Sequence, residues 1–187
     1  VVEKYNIEDE MVDAFMNSMK LDLHKQDYQT KEEYEAYIYG SADVVGLMCL
    51  KVFVNGNQEE YDRLQAGAKR LGSAFQKVNF LRDLKDDIEV LNRSYFPHID
   101  LNNLTPMSKK QVIDEIDADF KEAKKAIKKL PVVAQFGVYT AYIYYSQLLK
   151  KLKRTPATKI MESRIRVKNH VKIGLLVQSY FETKLNL

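Results

Sequence analysis

Gln76, Asn79, Asp83 and Asp87 recur at three- and four-residue intervals within Gln76-Lys77-Val78-Asn79-Phe80-Leu81-Arg82-Asp83-Leu84-Lys85-Asp86-Asp87. On a helix turning about 100° per residue, these four positions fall within roughly 80° of one another. Phe75, Val78, Leu81 and Leu84 take the packing faces. Two carboxylates four residues apart repel each other by ~0.2–0.5 kcal/mol on an exposed helix, and by more where water is scarce. A divalent cation relieves that repulsion. The oxygen donors Asp83, Asp87 and Asn79 suit Mg²⁺, which takes one or two carboxylates and completes its shell with water and substrate phosphate; Mn²⁺ is accepted in its place. Gln76 then lines the site as a partner for metal, water or an anionic substrate. The competing reading is a solvated helix face, because a chain with 26 acidic residues forms such pairs without any metal. The amides and the flanking apolar positions favour the site.

The elements that must position this stripe are helical. The chain has 187 residues, 45% hydrophobic and 29% charged, enough for one compact domain with its own core. Only seven Gly and four Pro interrupt long stretches rich in Leu, Lys, Glu, Ala, Gln and Tyr, which points to an all-α bundle. A first helix is expected from about Glu8 to Leu23. A second follows Thr30, whose spacing to Glu33 is a capping-box signature, and runs to Phe53 before Asn55-Gly56-Asn57 ends it. A third, from about Glu59 to Asn92, carries the Asp pair and can break near Gly72. Pro97 to Pro106 reads as a loop. A fourth begins behind Ser108, with Val112, Ile116, Phe120, Ala123 and Ile127 on one face, and stops at Pro131. Pro131 to Leu149 has no charged side chain but holds Gln135, Thr140, Ser146, Gln147 and four tyrosines, so it reads as a buried or cavity-lining helix rather than a membrane span. After Pro156 a last helix reaches the end. Residues 1–187 form a single domain.

The single Cys49, in an apolar run, reads as a buried inert thiol. No disulfide framework exists, which fits a reducing, cytoplasmic compartment. There is no signal-peptide pattern, and the chain opens without Met. Net charge is +3, with lysines concentrated toward the C-terminal half. Interspersed acidic residues and the lack of a reading motif argue against nucleic acid. Solvated helix faces account for most of the lysines; attraction to anionic lipid head groups, with peripheral association at the inner membrane face, is the other use. His24, His98 and His170 have no ligand spacing.

Leu71-Gly72-Ser73-Ala74-Phe75-Gln76, Asn79-Phe80-Leu81-Arg82-Asp83, Asp87 and then Arg93-Ser94-Tyr95-Phe96-Pro97 together resemble the second aspartate-rich signature of the phytoene/squalene synthase family, with Asn92 where Gly is usual. Met19-Lys20-Leu21-Asp22-Leu23, Tyr28-Gln29-Thr30 and Tyr37 to Gly46 are similar to the family's preceding segment. The pattern departs at Ser41 and Asp43. Asp9 and Asp13 lack the aromatic-Arg context of the first aspartate motif and read as helix-start charges, while Asp114, Asp117 and Asp119 read as surface residues. The resemblance covers the family's middle and C-terminal parts. The first motif is not among these residues.

The resemblance implies an isoprenoid-synthase helical bundle around a central cavity, incomplete at its N-terminal side. It implies Mg²⁺-dependent head-to-head condensation of two geranylgeranyl diphosphates to phytoene through a cyclopropyl diphosphate. Squalene or dehydrosqualene synthesis from farnesyl diphosphate is the alternative; the absence of a nicotinamide-binding glycine fingerprint and of an anchoring tail leans against a reductive squalene synthase. It further implies Gly46 as a residue beside the prenyl tail and Tyr37 as a residue near the carbocation or, equally, in the core. Tyr142, Tyr144 and Tyr145, followed by Leu148, resemble the family's aromatic penultimate helix. Tyr145 is the candidate for substrate contact, and core packing serves for at least two of the three. Arg164 or Arg166 would reach diphosphate or stay in solvent. A third reading is a non-catalytic helical module or inactive fragment, packing against a partner or a second copy through the face its missing helices would cover.

Overall fold

A computed structural model of the chain describes residues 1–91, 93–97 and 104–185. Asn92 and His98 lie outside the described residues. After a 3₁₀ turn at Glu3–Tyr5, the order is α1 (Asp9–Leu21), α2 (Lys31–Ile38), a π-helical turn (Tyr39–Asp43), α3 (Val44–Phe53), α4 (Gln58–Glu89), α5 (Pro106–Ile127), α6 (Val132–Arg154), α7 (Ala157–Glu162) and α8 (Asn169–Lys184). The described residues hold no strand, only one isolated bridge between Asp27 and Ser94. The fold is an all-helical bundle built around α4.

Local chemistry sets the boundaries. The Thr30 hydroxyl accepts from the Glu33 N–H at 3.2 Å, while the Glu33 carboxylate turns to the Gln29 N–H at 2.9 Å. Asn55 and Gly56 take positive φ of 52° and 73° to end α3, and the Asn57 side chain then accepts from the Glu60 N–H at 3.0 Å to start α4. Thr105 and Ser108 cap α5 reciprocally with Pro106 in the first turn, so that helix starts ahead of Ser108 rather than behind it.

Two expected helices are each divided. The second is split by the π turn, which carries Gly40 against Ser18 of α1 and Ala42 against α4. The last is split by an extended segment over 163–168, in which Ile165 and Val167 are buried and Arg164 and Arg166 are exposed. That alternation is strand-like, period two, and it overrides the helical reading. α4, in contrast, does not break near Gly72. It runs unbroken for 32 residues, roughly 48 Å at 1.5 Å per residue.

Gly72 is there for a crossing. A Cβ on it would stand 2.5 Å from the Ala42 carbonyl oxygen and 2.9 Å from the Ala42 carbonyl carbon. The contact is with backbone, which cannot swing away. Gly72→Ala is therefore expected to lower stability by ~1–3 kcal/mol through overpacking, despite alanine's helix propensity, which is better by ~1 kcal/mol. Thermal melts of the two proteins check this, and an unchanged or higher Tm for the variant contradicts the crossing.

The main core joins Val78, Leu81 and Leu84 of α4 with Ile116 of α5, Leu148 and Leu152 of α6 and Ile160 of α7. A second cluster packs Met11, Val44, Leu47 and Leu50 against Tyr61 and Leu64. Among the described residues one stretch, Lys31–Phe53, is long and apolar enough to cross a membrane. Its Tyr34, Tyr37, Val44, Leu47 and Leu50 are buried in these clusters, so it serves here as a core element.

Asp119 corrects the surface reading. It is buried, accepting from the Lys77 ammonium at 2.7 Å and from Arg70 at 2.9 Å, and Lys77, itself buried, also pairs with Glu115. Asp119 follows Ile116 by three residues and so falls on the buried stripe of α5. Asp114 is exposed and pairs with Lys110, and Asp117 is half-buried and pairs with Lys153.

Candidate active site

The C-terminal half of α4 presents Gln76, Asn79, Asp83 and Asp87 along one face, as the spacing requires. Asp83 is clamped by two guanidinium groups. The Arg82 Nε–H donates to Asp83 Oδ1 at 2.8 Å and its Nη2 to Oδ2. From the extended segment, Arg164 reaches back with Nε 2.6 Å from Oδ1 and Nη2 3.3 Å from Oδ2. Both forks match a carboxylate's geometry, and phosphate oxygens offer the same match. One turn before Asp83, Asn79 Oδ1 accepts from the Tyr145 hydroxyl at 3.2 Å, and the Tyr145 ring stacks on Phe75 with centroids 4.1 Å apart.

Asp87 is the electrostatically exceptional member. Partial burial, followed by the like charges of Asp83 and Asp86, pushes its carboxyl up to about 6 against the pull of Arg93 and Arg82. Its backbone carbonyl accepts from the Arg93 N–H at 2.8 Å. The Arg93 side chain donates to the Tyr95 hydroxyl at 3.3 Å and also bonds the Asp22 backbone. Among the described residues no group of three or more His, Cys, Asp or Glu could hold a metal ion. A cation bound here would take Asp87 and the neutral Asn79, with Asp83 once its arginines turn to an incoming anion.

Tyr37 lies in the core beside this end of α4. It is buried, its hydroxyl donates to Asp22 Oδ1 at 2.7 Å, and its ring lies 4.7 Å from Tyr28, 5.5 Å from Tyr95 and 6.1 Å from Phe80. Burial, followed by the bond to Asp22, raises its phenol well above the ordinary range, so it stays a neutral donor at any working pH. Tyr142 packs edge-on against Phe120, and Tyr144 edge-on against Tyr145. Tyr145 alone of the three bonds the stripe.

From Gln76 the same face of α4 continues toward the helix start as the wall of an open apolar cavity of about 550 Å³, flanked by α3, the end of α5 and the start of α6. Its lining includes Gly46, Gly72, Phe75, Leu64 and Gly137. Gly46 borders the cavity, yet its missing Cβ would point 2.7 Å from the Ala68 carbonyl oxygen, so its smallness serves the α3–α4 approach as well. Cys49 is not buried: it is exposed on the cavity wall, its thiol pushed up by the apolar surroundings. Asp43 turns away toward α4, accepting from the Ser73 hydroxyl at 2.6 Å, with burial raising its carboxyl.

Comparison with known proteins decides the family. The model for squalene/phytoene synthase matches residues 1–171. The chain belongs to the squalene/phytoene synthase family. It is 28% identical over 191 residues to the bifunctional lycopene cyclase/phytoene synthase of Blakeslea trispora, covering 92% of this chain and 31% of that protein. It is 30% identical over 154 residues to the 15-cis-phytoene synthase of Synechocystis sp., covering 70% and 45%. Among solved structures, YisP from Bacillus subtilis aligns with a TM-score of 0.74 at 21% identity, covering 94% of this chain and 74% of that one. Squalene synthase HpnC from Alicyclobacillus acidocaldarius aligns at 0.69 and 19%, covering 82% and 62%. The chain thus spans between about a third and a half of the length of these curated relatives.

Arg82, Arg93, Tyr95 and Asp22 surround the Asp pair without having been singled out as site residues. Arg93 and Tyr95 stand in the Arg-x-Tyr-x-Pro run, and Arg82 is adjacent to Asp83, so that proximity was the available signal. No sequence signal pairs Asp22 with Tyr37.

Proposed function

We propose that this chain forms the diphosphate-binding and tail-binding part of an enzyme that condenses two geranylgeranyl diphosphates head-to-head into phytoene. One observation carries the reading: the carboxylate and arginine cluster at Asp83 and Asp87 continues, along the same face of α4, into an apolar cavity of about 550 Å³. A charged head and a long apolar tail call for that sequence of environments. Arg164 and Arg82 are placed to exchange Asp83 for diphosphate oxygens. That exchange draws negative charge off the leaving group as the C1–O bond of one allylic diphosphate breaks. The second chain captures the allylic cation to give a cyclopropyl diphosphate. A second ionisation and rearrangement then yield the linear product.

The donor set fits Mg²⁺, with Asp87, Asn79 and Asp83 as its protein oxygens. Bound there, the ion neutralises diphosphate charge. A carboxylate raised toward 6 by burial and like charge is the environment a cation relieves. Tyr145 holds the Asn79 oxygen in place, and the buried rings of Phe80 and Tyr95 keep water from the floor below the Asp pair.

Titration calorimetry with Mg²⁺ and a non-hydrolysable geranylgeranyl diphosphate analogue tests this. The chain is expected to bind the analogue only with Mg²⁺, and an Asp83→Ala, Asp87→Ala double variant to lose that binding. Heat from neither protein sinks the reading and leaves a non-catalytic helical module. Tighter binding of a farnesyl analogue redirects it to the shorter substrate.

A further inference from the structure

We propose that Arg164 locks the cation site by holding Asp83 until a diphosphate draws its guanidinium away. The lock rests on the reading of Asp83 and Asp87 as the cation's carboxylates, and it follows from a count of acceptors. An ionised carboxylate offers about four acceptor positions. At Asp83 each oxygen faces two guanidinium nitrogens. Oδ1 lies 2.8 Å from Arg82 Nε and 2.6 Å from Arg164 Nε, and Oδ2 accepts from Nη2 of Arg82 and, at 3.3 Å, from Nη2 of Arg164. No acceptor position is left for a cation. One carboxylate between two guanidinium groups also carries net positive charge, which repels a bare divalent ion and draws an anion.

The two arginines differ in how readily they leave. Arg82 is the neighbour of Asp83 on α4 and its side chain is 17% exposed, whereas the side chain of Arg164 comes from another element and is 39% exposed. The backbone of Arg164 is fixed without the clamp: Ile165 and Val167 are buried, and Lys151 Nζ donates to the Arg166 carbonyl at 2.7 Å. The guanidinium can therefore swing while the extended segment over 163–168 stays in place. A diphosphate matches the same two-pronged donor. Opening the clamp serves both ligands, since it frees Asp83 oxygens for the cation and a guanidinium for the anion. Whichever enters first must open the clamp, and the second meets an open site. Each ligand thus tightens the other by the same factor.

Single-ligand titrations of the chain test the lock without turnover or a prenyl tail. Mn²⁺ is the cation, its unbound fraction read by electron paramagnetic resonance; inorganic diphosphate is the anion, titrated by calorimetry with chelator present. Arg164→Gln is expected to bind Mn²⁺ alone about tenfold more tightly than the parent and diphosphate alone about tenfold more weakly. Adding Asp83→Asn should abolish the gain for Mn²⁺. Arg166→Gln is the control. It removes the same charge from the same segment, at an exposed side chain that pairs with no carboxylate among the described residues, and Mn²⁺ affinity is expected to stay at the parent's value. Neither arginine lies in the core, so both variants should melt with the parent. Mn²⁺ binding that stays weak in Arg164→Gln overturns the lock, as does an equal gain in Arg166→Gln or a gain that survives Asp83→Asn. Uptake of the prenyl analogue with Mg²⁺ by the parent then tells whether the site itself stands without its lock.

Discussion

Asp119→Ala is expected to lower the stability of the bundle by about 3–5 kcal/mol, the usual consequence of removing one partner from a buried ion pair. The loss is electrostatic rather than volumetric. Lys77 is 5% exposed and Asp119 2%, so without the carboxylate the ammonium stays among apolar neighbours with only the half-exposed Glu115 to answer it. Arg70, on the rim, returns to water at little cost. Equilibrium urea unfolding measures the change. A companion Lys77→Met, Asp119→Leu double variant should recover most of the loss, because taking out both charges also takes out the unpaired one. A single-variant loss below about 1 kcal/mol would show that Lys77 finds water. The same network fixes α5 against α4 alongside Phe75 and Gln76, so the double variant tests whether the cavity needs the ion pair or only the packing.

The stripe Gln76, Asn79, Asp83, Asp87 was legible because helix periodicity alone determines which residues share a face, and α4 is a long stretch of helix formers with no proline. The cap at Thr30 was legible for the same reason, because its chemistry is local; Asn57 was read only as part of a helix end, and Thr105 was passed over for Ser108. The π turn at Tyr39–Asp43 was not legible, because nothing within residues 30–53 breaks a helix; the widened turn comes with the close approach of α1 and α4 at Gly40 and Ala42. The extended segment over 163–168 escaped notice because two alternations, Ile165 and Val167, are too few to outweigh the helix formers around them. Cys49 was misplaced since apolar neighbours in sequence do not distinguish a core from the wall of an open cavity. Arg164 was weighed between diphosphate and solvent; only the fold brings it to Asp83, 81 positions earlier.

Asp87→Asn is expected to move stability and ligand binding in opposite directions. The native carboxyl sits at about 6, well above its ordinary value of 3.8, so the folded state holds this proton more tightly than the unfolded chain does. Stability from this group is therefore present in acid and lost as pH rises from about 4 to about 6, remaining lost above that. The two-unit shift corresponds to ~3 kcal/mol at most; discounted for partial exposure, a gain of ~1–2 kcal/mol at pH near 8 is expected for the asparagine variant. The gain should vanish below about pH 4, where both side chains are neutral. Urea unfolding of the two proteins across this range, with chelator present, measures it. Binding should go the other way. Asparagine offers one neutral oxygen where the carboxylate offered charge, and Mg²⁺-dependent uptake of the prenyl diphosphate analogue is expected to fall ~100-fold or more, equivalent to ~2.7 kcal/mol. A variant that is both less stable and fully binding would show that Asp87 belongs to the scaffold. One that is more stable and no longer binds would show a charge held in an unfavourable place for the sake of the ligand.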